Sequence, residues 1–204
     1  FTVEFITITH SIAEPNVLAI TTPLGTVIHT GDWKIDPQPL VGDATDSKRL
    51  KEWGDQGVLA LVCDSTNALS DGCSGSEQSV KEELNRLIEK FSDYRITVAC
   101  FASNIARLQT IALAAAAFGR KVCLVGRSLY RMLSAAQYAG YLKNLPGFIG
   151  DKEAMDMPPE KVLLITTGSQ GEARSGLARV ANLQHPVIKM GSRDVVFFSS
   201  RVIP

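Results

Sequence analysis

From about residue 95 onward, short apolar runs alternate with segments of helical periodicity. The strand candidates are Ile96–Ala102, Lys121–Gly126, Lys161–Thr167 and Asp194–Ser199, and the helix candidates are Ser103–Phe118, Ser128–Leu142 and roughly Ala173–Leu183. This alternation predicts βαβ units, in which parallel strands need a crossover connection and the helices cover the faces of the sheet. Residues 146–159 are the least regular part and are predicted to form a surface excursion.

The first third of the chain has a different pattern. Residues 1–35 alternate apolar and polar side chains with a period of two, which predicts antiparallel, half-buried strands. A turn containing Pro23 and Gly25 joins two of these strands as a hairpin. Asp46 is predicted to cap a short helix that reaches Trp53. The continuous apolar run Val58–Cys63 predicts a strand that is buried on both faces.

A second helix is predicted after Ser74-Gly75-Ser76-Glu77, which has the spacing of a capping box. Its apolar face includes Leu84 and Ile88. The change from antiparallel to βαβ patterning places a domain boundary near residue 66. The predicted fold class is therefore α/β, with an antiparallel-rich part first and a mainly parallel sheet flanked by helices second.

Composition limits the classes of partner. The 21 basic and 21 acidic residues give a formal net charge of zero, so a nucleic acid would have to be held by a local patch. The four cysteines form no C-x-x-C pair and are interpreted as reduced core cysteines of a cytosolic protein. No stretch is apolar enough to span a membrane, and no signal peptide is visible. Because the chain begins without Met inside a strand pattern and closes soon after another strand, we expect it to be a fragment.

Two metal-capable side chains lie at predicted strand ends. His10 follows the first strand and Asp32 follows the third. Imidazole and carboxylate are both ligands of zinc or manganese, and an aspartate can bridge two ions. A catalytic zinc usually has three protein ligands, so this pair alone is insufficient. The alternative is a hydrogen-bonded histidine at a strand end and an aspartate in a turn.

Three polar segments each follow a predicted strand. They are Asp64-Ser65-Thr66-Asn67, residues 101–107 and residues 167–172. Asp64 has two readings, an Asx-type turn or a carboxylate that orients a catalytic histidine supplied elsewhere. Ligands of open parallel sheets bind outside the carboxyl ends of the strands, so we expect the three segments to share one rim that binds phosphate groups.

Within these segments, particular side chains suit a nucleotide ligand. Ser103 and Asn104 stand where a helix N-terminus can bind phosphate, Arg107 lies one turn further on, and Phe101 could stack on a base. Ser169 and Gln170 occupy the corresponding place after a later strand. For each segment alone, a helix cap plus a loop is the better explanation, and the occurrence of three such segments is what favours a phosphate ligand. The run Gly168-Ser169-Gln170-Gly171 matches neither a dinucleotide-binding fingerprint nor a P-loop, which excludes those functions.

Taken together, the residues resemble the ribonuclease J family, in the β-CASP branch of the metallo-β-lactamase superfamily. The order and spacing of the matching stretches carry this resemblance, and no single stretch is decisive. These stretches are Thr9–Ile12, His29–Asp36, Asp64–Ala68, Ser76-Glu77, Phe101–Arg107, Gly119–Lys121, Thr167–Glu172 and Ser199–Pro204.

The resemblance implies a fold and a set of roles. Residues 1–66 would be part of an αββα metallo-β-lactamase domain, and residues 67–204 would form most of a β-CASP domain. His10 and Asp32 would be metal ligands, with Asp32 bridging two Zn²⁺ ions (Mn²⁺ or Mg²⁺ as alternatives) and serving as a catalytic residue. Asp64 would be the second catalytic residue, positioning a later histidine. The residues implied to contact RNA or its phosphates are Ser65, Thr66, Asn67, Phe101, Ser103, Asn104, Arg107, Ser169 and Gln170.

The implied activity is that of a metal-dependent ribonuclease. Family members are cytoplasmic, form homodimers or homotetramers, and cut RNA internally and processively in the 5′-to-3′ direction, with a preference for a 5′-monophosphate. They act in rRNA processing and mRNA decay. The alternatives are a β-CASP nuclease that acts on DNA and a non-catalytic relative that binds RNA or a partner nuclease.

The sequence departs from the family pattern at several places. Trp33 and Ala173 stand where Phe and Pro are expected, and both changes are conservative and leave the resemblance unaltered. The H-x-H-x-D-H ligand motif and the later histidine motifs are absent from the sequence. We therefore predict that residues 1–204 alone bind metal weakly and do not cut RNA.

Overall fold

A computed structural model describes residues 1–201 of the chain. The last three residues, which belong to the Ser199–Pro204 match, lie outside the described part. The chain divides into two compact units, Phe1–Val80 and Lys81–Pro204. The assignment of residues 1–66 and 67–204 to two family domains stays a prediction.

The first unit is built on a four-stranded sheet with the order β1-β2-β3-β4. Its strands are β1 (Thr2–Thr7), β2 (Asn16–Thr22), β3 (Gly25–His29) and β4 (Ala60–Val62). The first three are antiparallel, as the period-two pattern predicts, and β4 pairs with β3 in parallel. Helix α1 (Ser47–Gln56) precedes β4, and the Asp46 carboxylate caps it by accepting from the backbone N–H of Arg49 at 2.9 Å.

One face of this sheet forms the core of the first unit. Ile6, Val17, Ala19 and Ile28 are buried on it, and Trp33, Leu50 and Trp53 pack against them. The opposite face is also apolar, yet it is exposed: Phe5 has 70% and Val62 has 50% of its surface in solvent. The prediction that Val58–Cys63 is buried on both faces is wrong for the described residues, because β4 is a short edge strand with no layer over it.

The second unit is built on a five-stranded sheet with the order β7-β6-β8-β5-β9. All its pairings are parallel, which confirms the predicted parallel sheet. Its strands are β5 (Arg95–Ala99), β6 (Lys121–Val125), β7 (Phe148–Ile149), β8 (Val162–Thr166) and β9 (Asp194–Phe198). The inner strands β5 and β8 are buried along their whole length, since they are covered on both faces.

Helices flank this sheet. They are α2 (Glu77–Lys90), which begins in the first unit, α3 (Ile105–Ala117), α4 (Arg127–Tyr138), α5 (Asp151–Asp156) and α6 (Gly176–Ala181). A 3₁₀ turn at Pro159–Lys161 precedes β8. Residues 146–159 therefore contain a short edge strand and a helix, which apolar periodicity could not reveal in elements this short.

Several local predictions need correction. Ser76, not Ser74, caps α2, because its hydroxyl accepts from the backbone N–H of Ser79 at 3.1 Å. Helix α4 ends before the predicted Leu142, since Gly140 takes a left-handed φ of 91°. Cys100 and Cys123 are core residues as expected, but Cys63 and Cys73 are exposed. No helix within residues 1–201 is long and apolar enough to cross a bilayer.

Candidate functional site

The end of the first sheet holds His10, Asp32 and Asp64, here called the strand-end cluster. A short antiparallel bridge pairs Thr9 with Lys34, with the Lys34 N–H donating to the Thr9 carbonyl oxygen at 2.9 Å. This pairing places His10 beside the segment that carries Asp32. The backbone bridge therefore brings together the segments that follow the two strands.

Asp64 is fixed to the same segment from the other side. The indole Nε1 of Trp33 donates to the Asp64 carbonyl oxygen at 3.2 Å, and the Asp64 N–H donates to Thr30 Oγ1 at 3.2 Å. Trp33 thus holds the segment that follows β4 against the segment that follows β3. A tryptophan at this position is well suited to that contact, because its ring packs in the core while its N–H reaches a partner.

The Asp64 carboxylate forms an Asx-type turn. Its Oδ1 accepts from the backbone N–H of Thr66 at 2.9 Å and from the Thr66 hydroxyl at 2.6 Å. These two bonds, with smaller contributions from His10 and from the backbone N–H of Trp33, hold the pKa of Asp64 below its ordinary value. Asp64 is therefore ionised at neutral pH.

His10 and Asp32 present donor atoms of the right kind for a metal. Asp32 is exposed, and His10 is half-buried with its Nδ1 3.3 Å from the Ser11 hydroxyl. Zinc accepts imidazole nitrogen and carboxylate oxygen, but a catalytic ion usually takes three protein ligands. Within residues 1–201 no group of three histidine, cysteine, aspartate or glutamate side chains could hold an ion. The described residues thus supply part of a ligand set and do not complete one.

The expectation that three polar segments share one rim is wrong. Asp64–Asn67 follows β4 of the four-stranded sheet, whereas residues 101–107 and 167–172 follow β5 and β8 of the five-stranded sheet. Two of the three segments are therefore neighbours, and the third ends a different sheet. The apolar run Val58–Cys63 resembled the βαβ strands downstream, which is why sequence alone grouped them. Ser65, Thr66 and Asn67 are exposed after β4.

At the carboxyl ends of β5, β8 and β9, three segments lie side by side and form what we call the sheet rim (residues 100–104, 167–171 and 199–201). The Cys100 N–H donates to the Thr166 carbonyl oxygen at 2.9 Å, and the Ser199 N–H donates to the Ala99 carbonyl oxygen at 2.8 Å. Gln170 connects two of the segments, because its Nε2 donates to Ser200 Oγ at 3.0 Å and to the Arg201 carbonyl oxygen at 2.7 Å.

Two of the predicted phosphate contacts have structural bonds in this rim. The Asn104 side chain is buried and caps α3 by accepting from the Arg107 N–H at 2.9 Å. The buried Arg107 guanidinium donates to the Ser199 carbonyl oxygen at 2.5 Å and to its hydroxyl at 2.9 Å. Both residues therefore stabilise the rim itself, and a contact of either with an anion stays a prediction. Phe101 and Ser103 are half-buried beside them.

Ser169 is the rim residue with an unsatisfied polar atom. The residue is 7% exposed, and its hydroxyl has no hydrogen-bond partner among residues 1–201. A buried hydroxyl without a partner is costly, so such an atom points to a water molecule or a ligand group. Its neighbour Gly168 takes a φ of 118°, and a Cβ there would lie 2.5 Å from Ser175 Oγ. Glycine is required at this turn by both its conformation and its packing.

A buried charged cluster lies close to Asp32 in the chain and was not evident from the sequence. Asp36 is 2% exposed and accepts from the Gln38 N–H at 2.9 Å and from the Glu77 N–H at 3.0 Å. Lys34 Nζ lies 3.2 Å from the Asp36 carboxylate and 3.6 Å from the Glu77 carboxylate. The available signal in the sequence was the alternation of Lys34 and Asp36 around one apolar residue. Their partner Glu77 lies 41 residues beyond Asp36 and could not be recognised from the local pattern.

The other two histidines have structural contacts. His29 is exposed at the end of β3, where its Nδ1 accepts from the Gly31 N–H at 3.0 Å. His185 has a side chain only 8% exposed, with Nε2 3.8 Å from the Asp151 carboxylate. Its Nδ1 accepts from the Ile188 N–H at 3.0 Å, so this histidine holds the loop before β9.

Comparison with known proteins places these features in a family. Residues 93–204 match the family described as "Ribonuclease J, beta-CASP domain". The whole chain aligns with proteins named Ribonuclease J from Sinorhizobium meliloti, at 45% identity, and from Synechocystis, at 44% identity. A third, from Thermus thermophilus, is 39% identical over the whole chain. The chain covers 36%, 32% and 35% of these three relatives, about a third of their length.

A solved structure shares the fold. It is a protein of unknown function from Enterococcus faecalis, which aligns over 80% of this chain and 40% of its own with a TM-score of 0.55 and 16% identity. At that identity the likeness concerns the fold alone. The family match covers more than half of the chain, from just before β5 to the end, and it includes the parallel sheet and its rim. The chain therefore belongs to the β-CASP domain family of ribonuclease J.

Proposed function

We propose that the full-length protein is a metal-dependent ribonuclease that hydrolyses phosphodiester bonds of RNA. Membership of the β-CASP domain family, supported by relatives named Ribonuclease J at up to 45% identity, is the observation that carries this proposal. The exposed carboxylate of Asp32 beside His10 adds donor chemistry that suits a nuclease metal site.

In this proposal the strand-end cluster contributes part of the reaction centre. His10 and Asp32 would hold divalent ions together with ligands from elsewhere in the protein. The proposed ion is Zn²⁺, and Mn²⁺ and Mg²⁺ are the alternatives. A bound divalent ion supplies an activated water and neutralises charge on the phosphate. Asp64, ionised and fixed by Thr66 and Trp33, would orient a histidine supplied elsewhere, which then protonates the leaving oxygen.

The sheet rim would contact the RNA chain. Phe101 is half-buried beside Ser103 and offers a ring on which a base can stack. Ser169 has a buried hydroxyl without a partner among the described residues, as expected of a group that meets a ligand. Gln170, Asn104 and Arg107 would then act by shaping the rim, since each bonds to another rim residue or to the start of α3. Ser65, Thr66 and Asn67 would contact RNA at the end of the first sheet.

Finer features belong to the same proposal and follow from the resemblance. The enzyme would degrade RNA from the 5′ end and also cut internally, prefer a 5′-monophosphate, and act in rRNA processing and mRNA decay. It would form a homodimer or homotetramer in the cytoplasm. Residues 1–204 alone would bind metal weakly and lack nuclease activity, because the described residues do not complete a ligand set.

The test uses the full-length protein and a 5′-labelled RNA that carries either a 5′-monophosphate or a 5′-triphosphate. Release of labelled mononucleotide from the monophosphate form is the expected result, and release of longer labelled pieces reports internal cleavage. Asp32→Ala should slow both by at least about 100-fold, because it removes a proposed metal ligand.

Asp43→Ala is the matched control, since Asp43 is an exposed loop carboxylate of the same unit. It should leave the rate within about twofold of wild type, as expected of a surface substitution. A wild-type protein that binds RNA but leaves it intact would show a binding module instead. Cleavage of DNA in preference to RNA of the same sequence would show a β-CASP nuclease of the other substrate class.

A further inference from the structure

Helix α4 has an exposed face that the proposed function does not use. Tyr130 is 44% exposed and Tyr138 is 96% exposed, although tyrosine rings bury large apolar areas when a partner is present. An open groove of about 530 Å³ runs along this face, and it is lined by Tyr130, Arg131, Ser134, Ala135 and Tyr138. Contiguous exposed apolar surface rimmed by polar residues is a known feature of interaction sites.

The face is continuous along the helix. At about 100° per residue, Tyr130, Ser134, Arg127, Tyr138 and Arg131 fall within an arc of about 100°. The buried residues Leu129, Leu133 and Ala136 lie on the opposite side and pack into the unit. The two rings are separated by about 12 Å along the axis, since each residue adds about 1.5 Å. The small side chain of Ser134 stands between them and keeps the surface open.

The charge on this face selects the kind of partner. Residues 127–138 contain two arginines and no aspartate or glutamate, in a chain whose formal net charge is zero. Both arginines lie on the arc that carries the tyrosines, and both are exposed. Burial, the Cys123 thiol and the Asp151 carboxylate raise the pKa of Tyr130. A tyrosine phenol is uncharged at neutral pH in any case, and Asp151 is an acidic group that acts on this face beside the two arginines.

We propose that this face of α4 binds single-stranded RNA, with bases stacked on Tyr130 and Tyr138 and phosphates paired with Arg127 and Arg131. Aromatic rings interleaved with cations are the general means by which proteins hold single strands without reading sequence. The inference rests on the proposed function in one respect, that RNA is the polymer the protein handles. It adds a contact surface outside the strand-end cluster and the sheet rim.

The topology shows how a strand could reach this surface. Helix α4 begins directly after β6, which pairs with β8, so its first turn stands at the same carboxyl edge as the sheet rim. Arg127 is the first residue of the helix, and Tyr138 is the last. RNA that contacts the rim could therefore continue along α4, away from the edge of the sheet.

The experiment measures RNA affinity of the full-length protein by fluorescence anisotropy. The probe is a 5′-fluorescein-labelled oligouridylate of about 20 nucleotides with phosphorothioate linkages that resist cleavage, so that the protein keeps its bound metal. Tyr138→Leu and the double variant Tyr130→Leu with Tyr138→Leu should raise the Kd about tenfold or more, because a leucine cannot stack on a base. Tyr138→Phe keeps the ring and should bind within about twofold of wild type.

Matched controls isolate the stacking and the charge. Phe118→Leu removes another exposed ring of the same unit, at the end of α3, and should leave the Kd unchanged. Arg131→Ala should weaken binding and lower the slope of log Kd against log salt by about one. Arg179→Ala removes an exposed arginine of α6 and should leave both the Kd and the slope unchanged.

Each outcome decides the inference. Wild-type affinity in the α4 variants would overturn it, and RNA cleavage by the same preparations would show that the proposed function still stands. A wild-type protein that neither binds nor cuts RNA would overturn both. If the α4 variants keep wild-type RNA affinity but dissociate a self-associated species in sedimentation velocity, the face binds a second copy of the chain and the RNA inference fails.

Discussion

The carboxylate of Asp36 accepts a hydrogen bond of 3.0 Å from the backbone N–H of Glu77, 41 residues further along the chain. This contact satisfies one of the N–H groups that the first turn of α2 leaves without a helical partner. Lys34 bridges the two acidic side chains at 3.2 and 3.6 Å. The segment that carries the proposed metal ligand Asp32 is therefore anchored just beyond it to the start of a helix.

Replacing Asp36 should destabilise the first unit. Asp36→Ala leaves the half-buried Lys34 ammonium without its nearest carboxylate and removes a buried helix cap. Removing one partner of a buried ion pair costs about 3 kcal/mol or more, which should appear as a lower free energy of unfolding in urea. Asp43→Ala removes an exposed carboxylate and should change the free energy of unfolding by about 0.5 kcal/mol or less. Equal effects of the two variants would contradict the structure.

The same residue gives stability a defined dependence on pH. Burial opposes ionisation of Asp36, but hydrogen bonds from the Gln38 and Glu77 N–H groups and from Lys34 outweigh it, so its pKa lies below the ordinary 3.8. A carboxyl with a lowered folded pKa stabilises the fold above its unfolded pKa, and this contribution is lost as pH falls through the folded pKa. We expect the difference in unfolding free energy between wild type and Asp36→Asn to be constant from pH 5 to 7 and to shrink below about pH 4. A difference that grows with acidification would have the wrong sign.

In the second unit, Arg120 holds the turn before β5. Its guanidinium donates to the carbonyl oxygens of Tyr94, Phe91 and Ser92 at 2.7, 3.0 and 2.9 Å, while burial lowers its pKa. The compact ammonium group of lysine lacks the planar fork of N–H donors that reaches these three carbonyl oxygens together. Arg120→Lys should therefore lower the unfolding free energy by about 2 kcal/mol, whereas the exposed Arg179→Lys should be neutral. Thermal unfolding followed by circular dichroism distinguishes them.

The exposed apolar face of the first sheet should bind hydrophobic dyes and promote association of the isolated chain. Phe5 and Val62 lie on it in solvent, with Val3 beside Phe5 on the same edge strand. Exposed apolar surface of this kind binds hydrophobic dyes and promotes association. We expect residues 1–204 to enhance ANS fluorescence, and Phe5→Thr with Val62→Thr to reduce it. Val17→Thr, on the buried face, should instead raise dye binding by loosening the core. Dye binding that is unaffected by the surface pair would show that the face is covered.

Much of the fold was predictable because its signals are local. The βαβ alternation after residue 95 predicted a parallel sheet, and Asp46 predicted the start of α1 from its capping chemistry alone. The exposure of β4 was not predictable, because an apolar run carries the same pattern whether or not another layer covers it. The capping of α2 by Ser76 together with Asp36 depended on a distant partner.

The candidate site was predictable to a similar degree. The sequence placed His10 and Asp32 at strand ends, but β2 lies between the two strands, and the Thr9–Lys34 bridge that brings the segments together was visible only in the structure. The position of Arg107 one turn beyond Ser103 suggested a shared anion, yet its guanidinium turns inward to Ser199, which lies 92 residues away. Helical spacing fixes the face on which a side chain lies, but long-range acceptors decide where its charged end goes.

The most direct test of the proposed reaction centre measures metal content and RNA cleavage on the same preparations of full-length wild type, Asp32→Ala and Asp43→Ala. Wild type and Asp43→Ala should both contain bound divalent metal and should cleave RNA at equal rates. Asp32→Ala should lose bound metal and cleave at least about 100-fold more slowly. An Asp32→Ala protein that cleaves RNA at the wild-type rate would contradict the assignment of the strand-end cluster to the reaction.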